Sequence, residues 1–299
     1  MNKLNYAKVY SDQLSQTFPR ALNFGALYAT DNNNRFRFKG GKTIEIPHIS
    51  IIGRKDVDRD AIEAPSRNYE NEWIEFELTN QRKWSTLIHP ADIDQTDYAT
   101  SIANITSVYN NEYKFPEMDA YVVSKLFADW DEYYGANDPV KITADNVLDL
   151  FDTIMLNMTE ALVPVTGRIL YVTPTVMNAL KKAASMSRNL VVNSVDGDIN
   201  RTITMLDGVQ VIVVPSAIMR TEFNFDQGAS ASLDARQVGM LLVHPDAIIT
   251  PVSYQFACLD EPSAATGGKY VYYEESFEDV FILPHRAEGV AFVLEDFMG

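Results

Sequence analysis

The sequence predicts an α+β protein in which a mixed middle block is inserted between two parts of a second domain. Three observations carry that reading. Apolar residues alternate with polar ones over Thr43-Ile44-Glu45-Ile46 and again over Ile74-Glu75-Phe76-Glu77-Leu78, the period of a strand. From Pro164 onward the pattern becomes strand, helix, strand. The last fifty residues return to strand-like runs separated by turn residues. A length of 299 residues suits two domains of roughly 150 residues each. With 46% hydrophobic and 22% charged residues, there is ample material for a core.

The elements follow in order. Residues 1–42 mix apolar and polar positions without a sustained period, so they read as an extended arm lacking a core of its own, with at most a short helix. Gly40-Gly41 breaks the chain before the first strand. Between the two alternating runs, Gly53–Asn71 is charged and almost devoid of apolar anchors. A structureless loop of that length is uncommon inside a compact domain. Read as one hairpin from Ile44 to Leu78, each arm would reach about 55 Å at ~3.3 Å per residue. Two strands alone are marginal in water, so something outside the domain must hold it. The tip offers Arg54, Lys55, Asp56, Asp58, Arg59, Asp60 and Glu63, a mixed set suited to ion pairing with a second copy. Glu45, Glu70, Glu72, Glu75 and Glu77 on the stems discourage edge-to-edge strand addition.

Phe115-Pro116-Glu117-Met118-Asp119 has the proline and acids of a helix start, with an end near Gly135. Thr143 is placed to cap a second helix whose apolar face is Val147, Phe151, Ile154, Met158, Ala161 and Leu162. Arg168–Val172 reads as a buried strand, Thr173-Pro174 as the cap of a helix bearing Val176, Met177 and Leu180, and Asp207-Gly208 as a turn into Val209–Val214. Gly239–Val243 is a further buried strand.

Charge narrows the partners. There are 41 acidic and 25 basic residues, a net charge of −16. Most of such a surface repels a polyphosphate, which excludes a general nucleic-acid binder. The exception is residues 1–42, where Lys3, Lys8, Arg20, Arg35, Arg37, Lys39 and Lys42 face only Asp12 and Asp31. That basic arm suits an anionic partner or a neighbouring subunit, or is simply solvated. No apolar window approaches the length of a transmembrane helix, and Met1–Tyr10 has no signal-type apolar core.

The search for chemistry is negative. All four histidines adjoin a proline (Pro47-His48, His89-Pro90, His244-Pro245, Pro284-His285), which predicts loop caps and no metal ligation. Cys258 has no CxxC companion and reads as a buried structural thiol in a reducing compartment. GxSxG, GxGxxG and GxxxxGK are absent. Asp92, Asp94 and Asp97 lack the rest of a calcium loop, and Asp149, Asp152 and Glu160 fall on the polar face of their helix. The expectation is a protein with no catalytic, cofactor-binding or metal-binding residues, hence no enzyme.

Taken in order, these pieces resemble the major capsid proteins of tailed bacteriophages, the Hong Kong 97-type fold, over nearly the whole chain. The arm Met1–Lys39 is similar to the family's N-terminal arm, residues 41–80 to its extended loop, and Gln81-Arg82-Lys83-Trp84-Ser85 closes that loop. The helix opening at Phe115-Pro116-Glu117-Met118-Asp119-Ala120-Tyr121 resembles the long spine helix of the peripheral domain. The resemblance implies an arm at 1–40, an extended hairpin at 41–80, a peripheral domain at 81–142 and 251–299, and an axial domain at 143–250. It implies self-assembly into pentamers and hexamers of an icosahedral shell around double-stranded DNA, with the subunit made in the host cytoplasm and ending in the virion. It further implies a separate scaffolding protein, a portal, a decoration protein on some shells, only weak contact with packaged DNA, and no membrane. An encapsulin-type nanocompartment shares the fold and is the alternative; a hydrolase working through paired carboxylates is a distant third.

Overall fold

The computed structural model describes residues 22–39, 42–54, 56, 67–95, 101–135, 138–183 and 203–296. In chain order the elements are α1 (Gly25–Tyr28), a 3-10 turn (Asp31–Asn34), β1 (Arg37–Phe38), β2 (Thr43–Ile51), β3 (Tyr69–Glu77), β4 (Gln81–Ile88), α2 (Pro90–Gln95), α3 (Ile102–Tyr109), a π-helical turn (Asn110–Lys114) and α4 (Phe115–Tyr134). Then come α5 (Val147–Glu160), β5 (Ile169–Val172), α6 (Pro174–Lys182), β6 (Met205–Leu206), β7 (Val209–Val213), β8 (Phe223–Asn224), β9 (Ser230–Ala231) and β10 (Gln237–Val243). A 3-10 turn (Pro245–Ala247), β11 (Ile248–Ile249), β12 (Val252–Asp260), β13 (Tyr270–Glu278), β14 (Phe281–Ile282), a 3-10 segment (Pro284–Gly289) and β15 (Val290–Glu295) follow. None of the described helices is long and apolar enough to cross a membrane.

The centre is a five-stranded sheet in the order β15–β10–β5–β7–β6, antiparallel except for the β5/β7 pair. Helices cover both faces, which is why β10 is buried at every position and reads as a continuous apolar run. Val238, Leu241 and Val243 join Tyr171 and Ile169 against α1 and α4, where Phe24, Leu27, Val122, Leu126 and Phe127 complete one core. Met240 and Leu242 join Leu170 and Val172 against α5 and α6, with Phe151, Ile154, Met158, Val176 and Leu180. Each fully buried Leu or Phe in these layers contributes about 1.5–3 kcal/mol. β15 lies beside β10, so residues 290–295 complete a sheet otherwise built from residues 169–243. The sheet thus crosses the division expected at residue 250.

Several elements depart from the sequence reading. The helix expected to open at Phe115-Pro116 instead runs from Ile102, where Ser101 accepts from the Asn104 amide at 3.4 Å, to Gly135 at φ 72°. Pro116 therefore sits inside a helical path about 50 Å long. Its missing N–H and ring clash are absorbed by the π-turn immediately before it. α5 begins at Val147 rather than beside Thr143, because Asn146 Oδ1 accepts from the Thr143 amide at 2.7 Å and occupies the cap position. Its apolar face ends at Met158: Leu162 is 89% exposed and turns the chain with a left-handed φ of 61°.

The larger correction concerns the arm. Its described part, from residue 22, does have a core. Phe24 and Leu27 are fully buried, and the Phe24 ring lies 4.3 Å from that of Tyr171. Asp119 of α4, itself buried, accepts from the Asn23 amide (3.0 Å), Asn23 Nδ2 (2.7 Å) and the Phe24 amide (3.1 Å). Asn32 Nδ2 donates to the carbonyls of Asp246 (2.7 Å) and Ile248 (3.0 Å), while Asn33 exchanges bonds with Thr250. The Asn-rich stretch that looked irregular is a buckle onto residues 246–250.

Candidate inter-subunit surfaces

The hairpin grows from this body. β2 and β3 pair antiparallel over nine residues each, from Thr43 opposite Glu77 to Ile51 opposite Tyr69, a ribbon about 30 Å long. At its base Ile44, Ile46, Phe76 and Leu78 pack on Ile249, Phe277 and Phe281, and Phe76 meets Phe281 at 5.0 Å between ring centroids. Asp279 anchors the same base, accepting from the Thr79 amide at 2.7 Å and from the Tyr121 hydroxyl at 2.7 Å. Pro47, which has no N–H, pairs with Trp73, two residues beyond the point where β1 stops pairing with β2 at Glu45.

The opposite face of the base carries charge. Glu45 is buried between Arg37 and Lys39, each at 2.9 Å, and Lys39 also bonds Glu75. Arg37 lies 3.6 Å over the Trp73 ring. Lys39, then Arg37, hold the Glu45 carboxyl below its ordinary range against the opposing effect of burial. Glu75 and Glu45 in turn raise the Lys39 ammonium. Arg37 and Lys39, expected to face the shell interior or a neighbour, neutralise acids of their own hairpin while both side chains stay more than half exposed. Glu45 and Glu75 are for the same reason not bare charges guarding an edge.

Beyond the opposed pair His48 and Glu72, every described residue of the ribbon is exposed. Ile49 is 60%, Ile51 71% and Ile52 64% exposed, and Tyr69 is half-exposed under the Arg67 guanidinium at 4.7 Å. Ile49, Ile51, Tyr69 and Trp73 share one face. Arg54 and Asp56 are exposed at the far end. Lys55, Asp58, Arg59, Asp60 and Glu63 lie outside the described residues, as do Lys3, Lys8 and Arg20 of the arm. Arg35 is exposed on the body beside the hairpin root.

A second apolar surface was missed in the sequence. β12, β13 and β4 form a three-stranded sheet with β12 at one edge. Along β12 Val252, Tyr254, Phe256 and Leu259 are each more than 40% exposed, and the Tyr254 and Phe256 rings run parallel at 6.3 Å. Cys258 sits on this strand, half-buried rather than buried as expected, with Sγ 3.7 Å from Asp260 Oδ1. Partial burial and the Asp260 charge raise its thiol above the ordinary range. The mixed aromatic and aliphatic run was the available signal.

Buried polar groups serve the fold. Arg168 donates to the carbonyls of Pro164 (2.9 Å), Val163 (2.7 Å) and Met155 (3.2 Å) and to Thr159 Oγ1 (3.2 Å). His89 and His244 cap loops as expected, their Nδ1 atoms accepting from the amides of Ala91 (3.1 Å) and Asp246 (3.2 Å). His48 and His285 do not. His48 lies within β2, and its ring stacks on that of His285 at 3.7 Å. Asp149, Asp152 and Glu160 are exposed, and Asp92 and Asp94 belong to the short helix α2.

No protein-family model and no curated protein matches the chain. Solved structures do match, along nearly all of it. The asymmetric unit of the bacteriophage PhiM1 mature capsid is similar at TM-score 0.66 and 12% identity, covering 99% of this chain and 93% of that one. The capsid of the cyanophage P-SCSP1u is similar at TM-score 0.61 and 11% identity, covering 97% and 93%. The Mycobacterium phage Che8 structure is similar at 0.59 and 14%, covering 99% and 98%. The chain therefore has the fold of tailed-phage capsid structures, the Hong Kong 97-type fold that its sequence resembles.

Proposed function

We propose that the chain is the major capsid protein of a tailed bacteriophage, a structural subunit that assembles with its own copies into pentamers and hexamers and encloses double-stranded DNA. The observation that carries this reading is the end-to-end likeness to phage capsid structures. The outer half of the hairpin supports it. A two-stranded ribbon is marginal alone, and Ile49, Ile51, Ile52 and Tyr69 remain exposed on it. A neighbouring copy would cover that surface. Each contact is modest, and closure by symmetry lets many of them sum. Arg54, Lys55, Asp56, Asp58, Arg59, Asp60 and Glu63 would add ion pairs between subunits. The acidic body suits a DNA container, because a wall that binds phosphate poorly lets the packaged duplex slide. The reading includes assembly in the host cytoplasm, a separate scaffolding protein and a portal, with a decoration protein on some shells of this kind.

The test is light scattering on a sizing column followed by negative-stain imaging of the purified chain, alone and with scaffolding protein. Megadalton shells or rings of five and six subunits are expected. Replacing residues 53–71 with a short turn should leave a folded chain that makes none. Normal shells from that variant would remove the hairpin's role, and an inert monomer with scaffold present would overturn the reading. Shells that co-purify with enclosed protein instead of DNA would point to a nanocompartment. Raising salt should weaken the tip pairs at a Debye length of about 3 Å in ~1 M salt.

A further inference from the structure

We propose that His48, Glu72 and His285 form a binding site for a borderline transition-metal ion of the zinc class, clipping the hairpin to the body. One ligand atom from each of these residues lies within 4.8 Å of the other two. His48 and Glu72 are directly opposed in the β2/β3 register, so both side chains leave the same face of the ribbon. His285 comes from the body, where Pro284 opens the 3-10 segment and fixes the approach of the next residue. Its Nε2 stands 3.7 Å from Glu72 Oε1. In a tetrahedral zinc site with Zn–N of about 2.0–2.1 Å, ligand atoms sit roughly 3.4 Å apart. The Glu72–His285 distance is already close to that.

One movement is required. The two imidazoles are stacked with an interplanar angle of 11°. A metal must lie in the plane of each ring, so they must splay by rotation about their side-chain torsions. The His285 and Glu72 side chains are 52% and 64% exposed, which leaves them free to turn and leaves solvent to supply the fourth ligand. Two imidazoles and one carboxylate select zinc, cobalt, nickel or copper over magnesium and calcium, which take oxygen ligands. Arg35 and Arg286 line the same cleft; Arg286 is directed to the Asp246 carbonyl at 2.8 Å, and Glu72 supplies the balancing negative charge. The site falls where the packed base of the hairpin, ending at Ile46, gives way to its bare outer half. A bound ion would therefore set the angle at which the ribbon leaves the body. The site stands on these residues whatever the chain assembles into; only the use of that angle in a shell rests on the capsid reading.

The experiment is calorimetric titration of zinc chloride into the untagged, chelator-treated full chain, with cobalt absorption as an independent report of tetrahedral geometry. One ion per chain is expected, undisturbed by millimolar magnesium. His285→Phe keeps a ring to stack on His48 but removes the ligand, and should weaken zinc at least tenfold; His48→Phe should do the same, and Glu72→Gln should weaken it less. Zinc should also slow amide exchange in residues 43–51. A wild-type chain that takes up no zinc overturns the proposal. So does a stoichiometry that survives both histidine variants, or one lost with His89→Ala or His244→Ala. Shell formation is scored separately, so its failure is not mistaken for failure of the site.

Discussion

At the scale of single residues, the fold is held by charged side chains whose partners are mostly neutral. Arg168 is 2% exposed, and every hydrogen bond described for it runs to a carbonyl, a hydroxyl or the Met155 sulfur. It ties the last turn of α5 to the loop at residues 163–164, just where Leu162 reverses the chain. Burial lowers its guanidinium from the ordinary value. Arg168→Met fills the same space and takes the side-chain donor from the Val163 and Pro164 carbonyls, while the Met155 carbonyl still accepts from the Thr159 hydroxyl at 2.7 Å. The expected loss is about 2–4 kcal/mol, at ~1–3 kcal/mol for each buried group left unsatisfied. Arg168→Lys should recover less than half, because one ammonium cannot reach acceptors that a planar fork spans. Denaturant midpoints of the three chains check both statements; a Met variant as stable as the parent would show that water satisfies the loop. Asp119 plays the matching part from α4. It holds Asn23 and Phe24 by their N–H groups, and burial pushes its carboxyl above the ordinary range while those donors pull it back.

At the scale of elements, close approach is as informative as burial. The two 3-10 segments, Pro245–Ala247 and Pro284–Gly289, meet where a Cβ on Gly289 would stand 2.5 Å from Ala247 Cβ. The His244 amide donates to the Gly289 carbonyl at 2.8 Å, and the Leu283 amide to the Ala247 carbonyl at 2.9 Å, so neither strand of chain can back away cheaply. Gly289→Ala should cost about 1–3 kcal/mol as overpacking. Adding Ala247→Gly should return most of it, and thermal unfolding of the double-mutant cycle reads the coupling. Such contacts are invisible in a sequence, because nothing local marks which glycine faces which alanine. What periodicity and punctuation mark was legible: the β2/β3 hairpin, the Thr173 cap, the Asp207-Gly208 turn with φ of 48° and 80°, and the buried run of β10. The early start of the helical path that ends in α4 was hidden because Pro116 carries the signature of a helix beginning, while a π-turn allows it mid-path. The His48–Glu72–His285 cluster was hidden because its third member lies far along the chain; a histidine beside a proline gives no sign of a partner across a fold. The exposed face of β12 left no mark in the sequence, because an aromatic and aliphatic strand has the same composition whether it is covered or bare.

At the scale of the whole molecule, acidity and burial act in the same direction. Asp119, Asp129, Glu278 and Glu295 all have carboxyls raised above the ordinary range, in each case chiefly by burial. A raised folded-state value means the folded chain holds the proton more tightly than the unfolded one. The stability from that preference is fully present below the unfolded values, near 3.8 for Asp and 4.5 for Glu, and is lost as pH rises through the folded ones. Net charge adds to it: at −16 the folded chain repels itself, and protonation relieves that strain. Glu45 and Glu275 oppose the trend, since Lys39 and Arg37 lower the first and Tyr273 and Gln81 the second. Their contribution is present above the ordinary carboxylate value and lost as pH falls through their lowered values. Stability should therefore rise as pH drops through the raised values of these carboxyls toward their ordinary ones, then fall below the ordinary range as the paired acids protonate. Unfolding midpoints of the unassembled subunit across that range test it. The Asp119→Asn chain should be destabilised at all pH values, because an amide nitrogen would oppose one of the Asn23 and Phe24 donors, and should show a shallower rise toward acid. A midpoint that climbs steadily from pH 5 to 8 would mean that ion pairs outweigh the buried carboxyls in this fold.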